Sequence, residues 1–312
     1  MKHFCAIAVA AIVFFFPATN VFAYDYSPIT ISIVPGVALP FGADRVGIAL
    51  GSIGNISGRV DLLQAAGAFN IADDIRGLQA AGVFNIADET MEGIQAAGVF
   101  NIAGDVDGAQ IAPVFNIADD VQGFQVGIVN VADRVTGIQL GLINISSNGV
   151  FELSGSWESQ TEYVYGTLKT GNTSVFGVYS IGMPRGDWFK TPDNTVVSAG
   201  LGTRIGDSRS LHLDLEVSAS QATGADLRGF FDAMNYRDGR SPSDVLAPWP
   251  TLDASLSLKL GGLRFTGGFR SDISLASAPN LPSGLAKGFS YSDTWFGEGF
   301  TAWTKWYIGL GF

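Results

Sequence analysis

Residues 77–87 read GLQAAGVFNIA, and residues 93–103 read GIQAAGVFNIA. The phrase recurs with variation through the first half of the chain. Asparagines fall at Asn55, Asn70, Asn85, Asn101, Asn116, Asn130 and Asn144, a period of 14–16 residues. Gln64, Gln79, Gln95, Gln110, Gln125 and Gln139 accompany them, with Ala49 in the equivalent place of the first copy. The residues on both sides of each glutamine are apolar, and so are those flanking the asparagines, Gly54 excepted. Alternation around both amides calls for two short strands per copy, each with one buried face.

The link between the two strands decides the architecture. Glutamine to asparagine is six residues in four copies but five in Gln125–Asn130 and Gln139–Asn144. Loss of one residue inside a continuous strand would turn half its side chains to the wrong face. Both flanking patterns survive the loss, so the link reads as a corner. A chain that turns a corner and stacks like on like every 15 or so residues is a β-solenoid. Seven coils spaced about 4.8 Å apart would form a rod about 34 Å long. Gly77, Gly93, Gly108, Gly123 and Gly137, two residues before their glutamines, mark places that need a positive φ or close backbone approach. The competing reading makes each copy one antiparallel membrane strand. Seven such strands, one from 28–37 and eight from the second half would give a barrel of about 16 strands, with a bulge absorbing the change in length.

From Gly149 the rhythm changes to longer alternating strands. Leu211, Leu213, Leu215 and Val217 share one face, with His212, Asp214 and Glu216 on the other. Strands over 252–260 and 263–273 alternate in the same way, and less regular ones fall near 150–158, 161–170, 173–182, 195–206 and 300–312. Eight antiparallel strands with one apolar and one polar face fit a small membrane barrel whose apolar side meets lipid. Arg204, His212, Asp214, Glu216, Lys259, Arg264, Arg270 and Asp272 would form its polar interior, filled by side chains and closed to ions. A soluble sandwich is the other way to bury such faces. The fold expected is thus all-β, with a short-coil solenoid over 45–148 and a barrel over 149–312, joined to an N-terminal strand and linker over 24–44.

Residues 1–23 carry Lys2, an apolar run from Cys5 to Phe16 and small residues before the end, the pattern of a secretory signal peptide. Cleavage there would remove Cys5, the only cysteine, so no disulfide is expected. It would also take the formal net charge from −11 to −12, a surface that repels nucleic acid. A closed barrel remains a route into a membrane, because it satisfies every backbone hydrogen bond internally.

Trp306, Ile308, Leu310 and the terminal Phe312 alternate with Tyr307, Gly309 and Gly311. A last strand ending in phenylalanine is similar to the C-terminal signal by which bacterial outer-membrane barrels are recognised for insertion. The phrases GLQAAGVFNIADE, GFQVGIVNVAD and GIQLGLINI, followed by NGVFELSGSWE, resemble bacterial surface-repeat proteins, in which GxQxxGxxN repeats precede a β-rich C-terminal region. The resemblance runs on through SAGLGTR to the final KWYIGLGF. It implies an outer-membrane or cell-surface location, with outer-membrane lipid, the barrel-insertion machinery and an unidentified surface partner as contacts. It supplies no catalytic residue. Ala49, and Pro113 in place of the usual glycine, are the departures.

Chemistry is sparse. His212 is the only histidine beyond residue 23, which excludes multi-histidine metal sites. His212 with Asp214 and Glu216 could suggest a hydrolase base, but no GxSxG, CxxC or HExxH motif accompanies them, and no cofactor is expected. Asp73, Asp88, Asp119 and Asp133 would stack in one corner column, with Asp74, Glu89, Asp105 and Asp120 in the next. Such columns are solvated or bridged by a cation such as Ca²⁺. The long segments 222–250 and 275–299 read as surface loops, whose Phe230, Phe231, Trp249 and Trp295 either grip a ligand or pack against their own loop.

Overall fold

The computed structural model describes residues 24–34, 37–185, 195–206, 210–223, 248–275, 281, 284–295 and 298–312. The leader read over 1–23 lies outside them. The described residues contain strands and no helix, and the chain divides into two compact units, Met1–Gly149 and Val150–Phe312.

The first unit is a parallel β-solenoid. Its strands are β1 (Tyr24–Val34), β2 (Val37–Leu39), β3 (Ala43–Gly51), β4 (Gly54–Ala66), β5 (Phe69–Ala81), β6 (Phe84–Ala97), β7 (Phe100–Ile111), β8 (Phe115–Ile117), β9 (Asp120–Val126), β10 (Val129–Val131), β11 (Arg134–Leu140) and β12 (Ile143–Ile145). From β3 onward all pairings are parallel, and away from the bends each coil stacks like residue on like, as in Asn70↔Asn85 and Gln79↔Gln95. Only the β1–β2 pair is antiparallel. The corner between glutamine and asparagine is where the sequence puts it, at Gly67-Ala68 or Gly127-Ile128. The stretch from asparagine to glutamine differs from the two-strand reading. In the early coils it is one bent strand of 12–14 residues, because pairing continues across the Ala-Asp bend with a shift in register. Only the last two coils break there.

Inside the coils the apolar residue four before each glutamine stacks into a core of Val60, Ile75, Met91, Val106, Val121 and Val135, all buried. Burial of each such side chain contributes about 1.5–3 kcal/mol relative to leaving it in water. One coil alone leaves that row open, which is why the phrase repeats. The glycine column meets both demands read for it. Gly93 has φ of +128°, and a Cβ there would sit 2.1 Å from the carbonyl oxygen of Gly77; the contact recurs at Gly108 with Gly93. On the outer wall Phe69, Phe84, Phe100 and Phe115 stack face to face at centroid separations of 5.3, 5.0 and 4.7 Å.

The second unit is a closed antiparallel barrel. Its strands are β13 (Val150–Glu158), β14 (Tyr163–Gly171), β15 (Phe176–Pro184), β16 (Thr195–Gly206), β17 (Leu211–Thr223), β18 (Trp249–Leu260), β19 (Leu263–Leu275), β20 (Phe289–Trp295) and β21 (Glu298–Gly311). Eight of them follow one another around the ring, and β21 closes it by pairing with β13. The eight correspond to the strands read from alternation. The single barrel of about 16 strands is overturned, because the repeats pair in parallel with one another and form a sheet of their own. The ninth strand, β20, falls inside the segment read as loop 275–299. It pairs with the first half of β21, on the edge that β13 covers further along.

Candidate functional site

Among the described residues no catalytic constellation stands out; the built features are the amide ladders buried beside the solenoid's apolar core and a polar barrel interior within an apolar exterior. In the solenoid, the seven repeat asparagines from Asn55 to Asn144 and the six repeat glutamines from Gln64 to Gln139 are buried. Asn101 shows the pattern. Its Nδ2 donates to the backbone oxygens of Gln95 (3.2 Å) and Ile111 (3.0 Å) and to Oδ1 of Asn116 (3.0 Å). Its Oδ1 accepts from Nδ2 of Asn85 at 3.0 Å. The glutamines form a second ladder running the other way: Gln95 Nε2 donates to Gln79 Oε1 at 2.7 Å and to the Ile102 carbonyl at 3.2 Å. Asn101 and Gln95 thus tie the backbone across the corner while bonding the next coil, and Gln125 and Gln139 continue the ladder.

The corner acids do not form the two columns read for them. Register pairs Asp74 with Thr90 and Thr90 with Asp105, so Glu89 is displaced from its column by the extra residue of that coil. Arginines interrupt the same row: Arg59 pairs with Asp74 at 2.7 Å, and Arg134 stands beside Asp120 in register. In the other column Gly104 separates Asp88 from Asp119. A Cβ on Gly104 would meet the backbone oxygens of Glu89 and Asp88, and the Asp119 N–H bonds to the Gly104 oxygen at 2.8 Å. The Asp133 N–H in turn bonds to the Asp119 oxygen at 2.7 Å. Partial burial, and then the charges of Asp88 and Glu89, raise the Asp73 carboxyl above its ordinary value.

The barrel interior is a dense ionic network. Arg204 bonds Asp214 through Nε (2.7 Å) and Nη2 (2.8 Å), and reaches Glu152 Oε2 at 2.9 Å. Lys169 bonds Asp214 at 2.8 Å and also pairs with Glu216. Arg264 approaches Glu152 at 3.1 Å, and its Nη1 lies 2.7 Å from Nε2 of His212. Further along, Tyr307 donates to Asp253 at 2.6 Å, Arg270 pairs with Asp253 at 3.3 Å and stacks 4.1 Å from the Tyr165 ring, and Lys305 pairs with Asp272. Between Glu152, Lys169, Glu216, Arg270 and Tyr307 lies a cavity of about 20 Å³, room for roughly one water.

Lys259 is exposed, not internal; it stands directly opposite Arg264 across the β18–β19 pair, and like charges so placed repel. Arg264 is buried against Glu152, and Lys259 is left open to solvent. Trp249 is not a loop aromatic. It begins β18, is buried with Tyr163, Tyr165, Val196 and Leu285, and donates from Nε1 to Asp272 at 3.0 Å. Phe230 and Phe231 lie outside the described residues, as does the side chain of Trp295. Trp306, Ile308, Leu310 and Phe312 all face outward and are exposed. Glu152, Lys169, Asp253, Lys305 and Glu158, which lies 3.8 Å from Lys305, join the network beyond the residues expected there, although each falls on the polar side of an alternating strand.

Glu152, His212 and Asp214 bring ligand atoms within 4.8 Å of one another, as a metal site would. The carboxylates there are already met by Arg204, Lys169 and Arg264, which supply the positive charge an ion would bring. His212 Nε2 lies 2.7 Å from Arg264 Nη1 and 3.8 Å from Asp214 Oδ1. Comparison with protein-family models, with curated proteins and with solved structures finds no match to this chain.

Proposed function

We propose that this chain is an exported outer-membrane protein whose barrel anchors it in lipid and whose solenoid is a non-enzymatic structural or partner-binding element. One observation carries the reading, the inverted polarity of the barrel. Its outward rows are Leu, Ile and Phe, with Leu201, Leu215, Val217, Leu256, Phe265 and Phe269 all at least 40% exposed. Its inside holds Glu152, Lys169, Arg204, Asp214, Asp272 and Lys305, all buried. In water that arrangement would expose the apolar area and bury the ions, the opposite of what either prefers. In a bilayer the exterior finds its solvent and the ions find one another. Strands of 9–14 residues match the roughly 9–11 residues that a tilted strand needs to cross.

The outward run ending in Phe312 supports recognition by barrel-insertion machinery, and the filled interior supports an anchor over a pore. The full chain, refolded with phosphatidylcholine vesicles, is expected to yield a protease-resistant fragment containing 150–312. Leu256→Arg should weaken insertion by about 2–4 kcal/mol if that position lies near the bilayer midplane. A chain that folds without lipid or detergent, indifferent to Leu256→Arg, would sink the reading. Discrete conductance steps in planar bilayers would instead favour a pore.

A further inference from the structure

In each of the seven coils, the stretch from the residue before the glutamine position to the residue after the asparagine contains no Asp, Glu, Lys or Arg: 48–56, 63–71, 78–86, 94–102, 109–117, 124–131 and 138–145. Every ionisable side chain of the stacked coils lies on the opposite arc, around the Ala-Asp bend. The amides within the uncharged arc are turned inward and buried, so its outward side chains are hydrocarbon apart from the exposed Ser52. The corner row is open to solvent at Ile53, Val83, Val114, Ile128 and Leu142, and the glutamine-strand face beside it at Leu78, Ile94, Ile111, Phe124 and Leu140. Part of that face is a trough of about 710 Å³ lined by Ile31, Ile33, Leu50, Ala65, Ala80 and Ala96. Apolar patches on this scale mark binding surfaces.

We infer that this uncharged corner is a lipid-docking edge, which lies in the interfacial zone of a bilayer while the acidic arc stays in water. The inference rests on the membrane reading of the barrel. Three observations choose lipid over a protein partner. First, the arc has no charge with which to select a partner or fix its register, and a fluid hydrocarbon phase needs neither. Second, the depth fits: Ile86 lies three residues from the Val83 apex, so about 10 Å of uncharged wall stands before the charged bend, comparable with the insertion of interfacial amphipathic elements. Third, only residues 146–149 separate Ile145 of β12 from Val150 of β13, a reach of at most about 18 Å. A bilayer that held the barrel would thus have the solenoid covalently tethered to it, at high effective concentration. The acidic arc disfavours anionic headgroups, so the edge should take zwitterionic lipid.

The test uses the full chain with Cys5→Ser and a single new cysteine at Val83, Leu256 or Asp105, labelled with a polarity-sensitive fluorophore. The protein is reconstituted in phosphatidylcholine vesicles with or without acyl-chain nitroxides. Labels at positions 83 and 256 should lose about half or more of their emission to the nitroxide lipid, and the label at 105 should lose little. Quenching at 256 without quenching at 83 would overturn the docking edge and leave the membrane barrel standing. A blue-shifted but unquenched label at 83 would do the same, and would mean that protein covers the corner. Quenching at neither position would overturn both readings.

Discussion

Asn101→Ala removes one rung from the middle of the asparagine ladder, and its cost can be worked from the contacts. Three donated bonds and one accepted bond disappear. Nδ2 of Asn85 keeps its 2.7 Å bond to the Ala96 carbonyl, so that donor stays satisfied. Oδ1 of Asn116 is buried and loses the donor it had in Asn101. An orphaned buried acceptor costs about 1–3 kcal/mol, and each further lost bond to the Gln95 and Ile111 carbonyls about 1 kcal/mol, giving about 3–5 kcal/mol in all. Solenoid coils interact mainly with their neighbours, so the loss should be local. The assay is amide hydrogen exchange, by mass spectrometry, on the full chain. Peptides from 84–117 should exchange faster by roughly two to four decades, at about 1.4 kcal/mol per decade. Barrel peptides should be unchanged, and Val83→Thr, at an exposed corner, should stay within about 0.5 kcal/mol of wild type. An acceleration below tenfold for Asn101→Ala would refute the view that the amides hold the coils together.

Three further outcomes follow from the same geometry. Gly93→Ala puts a Cβ 2.1 Å from the Gly77 oxygen at a φ of +128°, so it should cost about 3 kcal/mol or more by urea titration, whereas Gly262→Ala, with open space around it, should be close to neutral. The raised carboxyl of Asp73 means that the folded state holds that proton more tightly than the unfolded chain does. Stability from this group is complete below the ordinary value of 3.8 and is lost as pH rises through the folded value; Asp73→Asn should therefore raise Tm at neutral pH, and the gain should vanish in melts run below pH 3.8. Arg204→Met leaves Glu152 and Asp214 short of a buried cation, so the folded barrel band in detergent gels should melt at a lower temperature, consistent with a loss of about 3–5 kcal/mol.

The repeat made most of the solenoid legible, because its register is a property of identical residues and needs no knowledge of tertiary context. The five-residue links at Gln125–Asn130 and Gln139–Asn144 separated corner from strand. The continuous bent strands were not legible, since pairing across the Ala-Asp bend depends on a shift that no single copy reveals. The same shift took Glu89 out of its acid column. In the barrel, alternation found the eight strands of the ring. It missed β20, which pairs with half of β21 and so answers to no closure constraint. Trp249 lay hidden between Pro248 and Pro250, a pair that argues against a strand interior but is tolerated at its start. The alternating face of β18 was carried one residue too far, to Lys259, where the opposing Arg264 decides which side chain goes in.

The two interiors differ in chemistry for a reason that lies in their symmetry. A solenoid stacks each side chain on its own kind, so a buried polar column must be self-complementary. An amide is: it donates from nitrogen and accepts at oxygen, and Gln79, Gln95 and Gln110 do both in succession at 2.7–2.8 Å. A carboxylate or ammonium column at a spacing of about 4.8 Å would repel by about 3 kcal/mol per neighbour even at an effective dielectric constant of 20. The barrel has no such repeat, so Glu152, Arg204, Asp214 and Lys169 can be chosen singly and interleaved by sign. In the proposed lipid setting, both solutions leave the outside free to be apolar. The contrast separates their failures too. A charge placed in the amide column, as in Gln95→Glu, meets Gln79 Oε1 where a donor had been and finds no counter-ion on either neighbouring rung. A charge reversed in the barrel, as in Lys169→Glu, adds to Asp214 and Glu216 a like charge that lowering the pH can neutralise.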